Sequence, residues 1–165
     1  MQSISDIIST TLNEFIADVK YRHIQAGQRA TGKSIASLEK TLEQRGVDYV
    51  GQVLGAAHIG TFETGRGPAR KGTRGSAEQA EFVSGLAEWC KIRGFTSAGL
   101  SDEQYVRIAN WLRWYLNKFG TRLYRNGGRK DIITPAMQTF ADNLEKRLEQ
   151  YYTEEIKNNF FNSNI

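Results

Sequence analysis

Apolar side chains recur every three or four positions along much of the chain, which is the spacing of helices that bury one face. This spacing predicts a long N-terminal helix over 4–19 and a long C-terminal helix from Thr134 to about Asn158. It also predicts two central helices, over 76–93 and 101–119, and helical spacing at Ile35, Leu38 and Leu42. Most of the chain is therefore expected to be helical.

Residues at the ends of these patterns support the predicted boundaries. Three pairs have the spacing of a capping box: Ser3 with Asp6, Ser76 with Gln79, and Ser101 with Gln104. Gly94 and Gly120 are placed to end the central helices. Thr134 is placed to cap the last helix, and Pro135 then occupies its first position, where a missing N–H costs nothing.

A different pattern occupies residues 47–62, where β-branched and aromatic residues alternate with glycines. This composition predicts strands, with a turn or bulge at Gly55-Ala56-Ala57. The predicted fold class is α+β, with a small antiparallel β-sheet flanked by several amphipathic helices and long N- and C-terminal helices. We expect residues 1–165 to form a single domain with a helical insertion at about 76–119.

The net charge of +4 hides two concentrated basic stretches. Residues 64–75, here called the first basic segment, carry no acid and four cations: Arg66, Arg70, Lys71 and Arg74. Residues 120–130, the second basic segment, again have no acid and four cations: Arg122, Arg125, Arg129 and Lys130. The remainder of the chain therefore carries 4 − 8 = −4. Glycine-rich cationic loops of this kind are usually solvated or packed against an acidic partner, and contact with backbone phosphates is the other interpretation.

Composition excludes several other classes. The 165 residues are 39% hydrophobic and 24% charged, close to the globular average. A single cysteine excludes an internal disulfide framework and a CxxC metal knuckle. No apolar run approaches the ~20 residues of a membrane helix, and the N-terminus lacks the features of a secretory signal. We expect a soluble protein of intracellular origin that needs no metal or disulfide to fold.

One stretch matches a nucleotide-binding pattern. Residues 27–34 (GQRATGKS) satisfy GxxxxGK[ST], which binds phosphates only between a buried strand and a helix. The preceding residues 20–25 (KYRHIQ) are too polar for a central strand. The sequence therefore favours a short helix beginning near Ile35 and capped by Thr31 or Ser34, without a nucleotide.

Other candidate residues point to packing and interfaces and not to catalysis. Cys90 shares a helical face with apolar residues and is expected in the core. Glu63 is expected at a strand end before the first basic segment, where a carboxylate can bind arginine. Trp111 is expected in the core, whereas Trp114 is a candidate for contact with a partner. No catalytic constellation, cofactor site or metal site is predicted.

Several segments resemble known virion proteins. They are residues 31–38 (TGKSIASL), 51–57 (GQVLGAA), 62–68 (FETGRGP), 86–94 (LAEWCKIRG) and 120–132 (GTRLYRNGGRKDI). Together they are similar to tailed-bacteriophage head–tail joining proteins, also called tail-completion, neck or connector proteins. The later segments resemble those of crAss-like and other Bacteroidales phages. The likeness covers roughly residues 30–158, and the helical insertion at 76–119 is longer than in the simplest relatives.

The resemblance implies a non-enzymatic structural subunit made in the host cytoplasm and located in the virion, where it forms or completes a ring at the head–tail junction. It implies homo-oligomer contacts, neighbouring portal, adaptor or tail proteins, possible non-specific contact with packaged DNA, and no membrane. The residues assigned to the interface or to the DNA lumen are Glu63, Arg66, Arg70, Lys71, Arg74, Trp114, Arg122, Arg125, Arg129 and Lys130. An alternative function is nucleic-acid binding, in which both basic segments grip backbone phosphates.

Overall fold

The computed structural model describes residues 2–28, 32–56, 58–69, 76–94 and 99–162. In chain order the elements are α1 (Ile4–Gln25), α2 (Lys33–Ala36), β1 (Glu39–Arg45), β2 (Asp48–Leu54), α3 (Thr61–Thr64), α4 (Ser76–Arg93), α5 (Asp102–Phe119), α6 (Arg122–Arg125) and α7 (Ile133–Asn162). β1 and β2 pair antiparallel. The predicted α+β fold, with long N- and C-terminal helices, is confirmed.

The chain divides into two compact units. Unit 1 comprises Met1–Gly27, Ser34–Ile59 and Lys130–Ile165. Unit 2 comprises Gln28–Lys33 and Gly60–Arg129. The helices of the predicted insertion, α4 and α5, pack on each other inside unit 2. That the whole chain acts as a single domain stays a prediction.

Unit 1 is built on α1, which packs against both α7 and the β1–β2 hairpin. The predicted capping box opens α1, because the Ser3 and Asp6 side chains each accept the other's backbone N–H. Edge-on contact between Phe15 and Phe140, 5.7 Å between ring centroids, joins α1 to α7. The core of this unit lies along the inner side of α1: Ile7, Leu12, Ile16 and Val19, with Ile35, Leu38, Ile132 and Ala136.

Unit 2 is built on the α4–α5 pair. Its core contains Val83, Ala87 and Ala109, with Leu86 and Tyr105 packed against them. The predicted Ser101–Gln104 capping box opens α5, and Gly120 ends it. Gly94 follows the end of α4 with φ +60°, as the sequence predicted.

Several local predictions are wrong. Leu42 lies in β1 opposite Gly51 and not on a helix, since the half-buried positions of β1 alternate with exposed ones. Residues after Leu54 leave the hairpin, so Glu63 lies in α3 and not at a strand end. α7 begins at Ile133, which makes Pro135 its third residue. The pattern of apolar residues located the four long helices, α2 and β2, but it assigned β1 to a helix and α3 to a strand end.

Candidate interaction site formed by the two basic segments

The described part of the first basic segment lies alongside the second basic segment. The backbone N–H of Thr121 donates to the carbonyl of Arg66 at 2.8 Å, and the N–H of Arg129 donates to the carbonyl of Glu63 at 2.8 Å. The N–H of Ala69 adds a third bond at 2.9 Å to the carbonyl of Asn117, at the end of α5. Backbone groups therefore hold these two stretches together without using their charges.

Arg66 is the cation of the first basic segment whose contacts the structure describes, and these contacts are internal to unit 2. Its Nη2 donates to Oδ1 of Asn117 at 2.6 Å. Its guanidinium carbon lies 4.5 Å from the centroid of the Phe82 ring on α4. A charged, partly buried hydrogen bond and a cation–π contact give this side chain a fixed position. Arg66 therefore joins α4 and α5, whereas the sequence assigned it to an interface or to contact with DNA.

Thr121 organises the junction between α5 and α6. Its hydroxyl oxygen accepts the N–H of Arg66 at 3.0 Å and the N–H of Tyr124 at 3.2 Å, and the second bond caps α6. Sequence reasoning missed Thr121, Asn117 and Phe82 because none of them is charged. The sequence did contain one signal for Thr121: threonine is a common N-cap residue, and it directly follows Gly120, which is placed to end a helix.

Two glycines make this close approach possible. Gly65 (φ +69°, ψ 174°) and Gly120 (φ +74°, ψ −178°) occupy a backbone region that is essentially restricted to glycine. A Cβ at Gly120 would lie 2.8 Å from the carbonyl oxygen of Arg66. The glycines of the basic segments therefore define a tight junction and do not simply lengthen a loop.

The remaining predicted cations have different positions. Arg122 and Arg125, on α6, are exposed, and Arg129 is half-buried. Lys130 is exposed and belongs to unit 1. Arg70, Lys71 and Arg74 lie outside the described residues. Within unit 2, the described cations of the two basic segments that are exposed are therefore the two on α6.

An exposed aromatic surface adjoins these cations. Trp111, Tyr115 and Phe119 follow one another at four-residue spacing on α5, with centroid distances of 5.6 and 5.0 Å. We call these three residues the α5 stripe. The prediction that Trp111 is core is wrong, since its side chain is 56% exposed, while Trp114 is 53% exposed. The buried side of α5 is occupied instead by Ala109 and Leu112.

Cations cover parts of the α5 stripe. Nζ of Lys118 lies 5.2 Å from the ring centroids of both Trp114 and Phe119. The guanidinium of Arg125 lies 5.5 Å from the centroid of Tyr115. Residues 104–130 contain seven cations and no carboxylate: Arg107, Arg113, Lys118, Arg122, Arg125, Arg129 and Lys130. The sequence contained this signal, but it is visible only when the helix and the loop are counted together.

The GxxxxGK[ST] match at residues 27–34 does not have the geometry of a nucleotide-binding P-loop. The chain before Gly27 is helix α1 and not a buried strand. Lys33 forms an ion pair with Glu88 at 3.0 Å. Thr31 lies outside the described residues, and Ser34 lies within α2. These positions do not have the strand–loop–helix arrangement that directs backbone amides at a phosphate.

The structure also places the single cysteine and the side chains that could bind a metal ion. Cys90 is fully buried, as predicted, and burial raises the pKa of its thiol, so the unreactive protonated form is favoured. Among the described residues, no three thiol, imidazole or carboxylate groups come together as a candidate metal site. No helix in the described ranges combines the length and apolar character needed to cross a membrane.

Comparison of the chain with protein-family models, curated proteins and solved structures finds no match in any of the three. We therefore infer function from the contacts described above and from the sequence resemblance.

Proposed function

We propose that this protein is a non-enzymatic structural subunit of a tailed-phage virion, and that it forms or completes a ring at the head–tail junction. The observation that carries the proposal is the pairing of two segments that resemble head–tail joining proteins. Residues 62–68 and 120–132 are distant in sequence, yet backbone hydrogen bonds join Glu63 to Arg129 and Arg66 to Thr121. A shared structural role explains why both segments occur in one chain.

The surface beside this junction supports an assembly role. Large aromatic side chains and arginine dominate the binding energy of protein interfaces. Trp111, Trp114 and Tyr124 are each about half exposed. Tyr124 lies on α6 together with the exposed Arg122 and Arg125. Exposed aromatic surface of this kind marks interaction sites on soluble domains.

The test reverses the two exposed cations of α6 and locates the protein in particles. Arg122→Glu with Arg125→Glu shifts the charge by four units per copy, and this shift is repeated at every subunit of a ring. We expect nearly unchanged thermal melting, because exposed charges contribute only ~0–1 kcal/mol each, but loss of incorporation into particles. Arg45→Glu, in the β1–β2 hairpin, is an exposed control that should still be incorporated.

Particle reconstruction and mass spectrometry of purified virions provide the direct readout. Density for a ring of this subunit at the junction is the expected result. Absence of the protein from purified particles would contradict the virion role. Normal incorporation of the α6 variant would contradict the assignment of these cations to an essential interface.

The second candidate function is nucleic-acid binding through backbone phosphates. The run of seven cations without a carboxylate in residues 104–130 favours it. A phosphate binder loses affinity steeply as salt rises, with a slope of about −0.9 per phosphate neutralised on duplex DNA. Salt-dependent DNA binding that the α6 variant abolishes, together with absence from particles, would favour this alternative.

A further inference from the structure

A second exposed apolar stripe lies on the C-terminal half of α7, in unit 1. Tyr152 is 53% exposed and Ile156 is 56% exposed, and Phe160 continues the row at the same four-residue spacing. Residues separated by three or four positions share one helix face. Tyr152, Ile156 and Phe160, here called the α7 stripe, therefore form an apolar row about 12 Å long, since a helix rises about 1.5 Å per residue.

Acidic side chains extend this row toward the helix N-terminus. Glu145 and Glu149 lie on the same face, three to seven residues before Tyr152, and both are exposed. Residues 142–155 contain five carboxylates and two cations, and one of these cations, Arg147, pairs with Glu14 at 2.7 Å. Glu155 lies beside the Tyr151 phenol, whose pKa is raised by burial and by this carboxylate. The helix surface N-terminal to the α7 stripe is thus acidic, while the range of the stripe itself contains Glu154, Glu155 and Lys157.

The α5 stripe has the complementary character. Its three rings also span eight residues, or about 12 Å. Two cations contact these rings: Lys118 lies 5.2 Å from the last ring, Phe119, and Arg125 lies 5.5 Å from the central ring, Tyr115. Arg107, which precedes the α5 stripe, is paired with Glu103 at 2.7 Å, and the cations that contact the stripe come late in it or after it in the chain. On α7 the carboxylates Glu145 and Glu149 come before the apolar row. An antiparallel pairing therefore matches apolar with aromatic residues and carboxylates with cations at the same time.

We propose that the α7 stripe of one copy of this chain packs antiparallel on the α5 stripe of the next copy. Rows of side chains at i and i+4 on two helices interlock in the commonest class of helix packing. A head-to-tail contact between copies requires two different, complementary surfaces on each subunit. Repetition of such a contact closes a ring when the rotation between copies closes, and otherwise extends a filament. The inference rests on the proposed ring function and identifies the surfaces through which its subunits meet.

The arrangement of the rings favours a helix over single-stranded nucleic acid as the occupant. Bases stack on open ring faces. Here Trp111 stacks on Tyr115, and Lys118 and Arg125 lie over the neighbouring rings. Rings that are stacked on each other or covered by a cation offer less open face to a base, whereas the side chains of an apolar helix row can pack against ring edges as well as ring faces.

The test is reciprocal charge reversal on the full chain, followed by sedimentation velocity over a range of protein concentrations. We expect wild-type chains to associate as concentration rises. Lys118→Glu and Glu149→Lys should each weaken association at least about tenfold, because like charges are then placed together across the contact. The combined variant should regain association, because the opposite charges meet again with their positions exchanged.

Two further variants control for fold and for charge. Arg45→Glu changes net charge as Lys118→Glu does, but in the β1–β2 hairpin, and should associate normally. Trp111→Ala keeps the charge and removes the largest ring of the α5 stripe, so it should also weaken association. Circular dichroism and thermal melting verify that each variant is folded.

Three results would overturn the proposal. One is a combined variant that associates no better than either single reversal, and another is wild-type protein that stays monomeric up to its solubility limit. The third is a labelled single-stranded oligonucleotide that binds the wild type, with loss of binding in Lys118→Glu but not in Glu149→Lys. None of these results bears on whether the protein is present in particles, so the virion role is judged separately by particle composition.

Discussion

Replacing Arg66 tests whether the basic segments are held by internal contacts or are free for partners. Arg66→Met keeps an apolar stem over Phe82 but removes the 2.6 Å bond to Asn117 and the cation–π contact. A hydrogen bond to a charged group contributes about 1.5–3 kcal/mol, and a partly exposed cation–π contact about 0.5–1 kcal/mol. Because the two contacts share one guanidinium and are not additive, we expect a total loss of about 2–3 kcal/mol.

The assay is urea unfolding combined with thermal melting. At this chain length 1 kcal/mol corresponds to roughly 2–4 °C, so the expected fall in Tm is roughly 4–12 °C. The urea midpoint should fall while the slope stays constant, since the surface exposed on unfolding is unchanged. The matched control is Arg125→Met, whose exposed guanidinium lies 5.5 Å from the Tyr115 ring and whose loss should cost about 0.5–1 kcal/mol.

A double-mutant cycle isolates the central bond. Asn117→Ala, combined with Arg66→Met, should show a coupling energy of about 1 kcal/mol or more, as expected for side chains in direct contact. The reasoning is refuted if Arg66→Met is as stable as Arg125→Met, or if the cycle shows no coupling. In that case the Arg66 side chain would not fix the position of the first basic segment, and Arg66 would again be a candidate for contact with a partner.

Three further predictions concern the backbone junction, the thiol and the P-loop match. Gly120→Ala should destabilise unit 2 by about 2–3 kcal/mol in chemical denaturation, because the backbone conformation of Gly120 is restricted to glycine and an added Cβ would meet a carbonyl oxygen. The control is Gly127→Ala, which should cost less because the space around an added Cβ is open. Cys90 should react with a thiol reagent only slowly in the folded protein and rapidly in denaturant, since the thiol is buried and its pKa is raised; rapid labelling under native conditions would contradict its place in the core. Titration calorimetry with ATP should give no binding heat, and micromolar affinity abolished by Lys33→Ala would show that the GxxxxGK[ST] match binds nucleotide after all.

The sequence predicted the long elements because each repeats its apolar spacing over several turns and has recognisable end residues. Ser3, Ser101 and Gly120 took the predicted roles at the ends of α1 and α5. It failed at β1, where Leu42 continued a helical spacing, and at two of the four-residue helices. α3 and α6 each contain four residues, too few to show periodicity, so both were predicted as loop or strand.

The candidate site was predictable in charge but not in geometry. Counting cations located both basic segments, yet it could not separate Arg66, which bonds internally, from Arg122 and Arg125, which are exposed. That distinction depends on Asn117 and Phe82, residues far away in sequence whose proximity is set by tertiary packing. Trp111 was misplaced for a related reason, because on α5 both flanks of the helix carry large apolar residues and spacing alone does not select the buried one.

The contacts of the junction explain how a strongly cationic surface can exist in an isolated chain. Glu63, Arg66, Thr121 and Arg129 are tied through backbone N–H and carbonyl groups, so the position of α6 does not depend on neutralising its charge. Clustered like charges raise the free energy of the folded chain, and this cost falls when counter-charges approach. The backbone of α6 is therefore held in place by neutral hydrogen bonds that leave the charges of Arg122 and Arg125 uncompensated by carboxylates within residues 104–130. Such a surface gains most from an acidic partner or a polyanion and contributes least to the stability of the monomer, which is the combination an assembly contact requires.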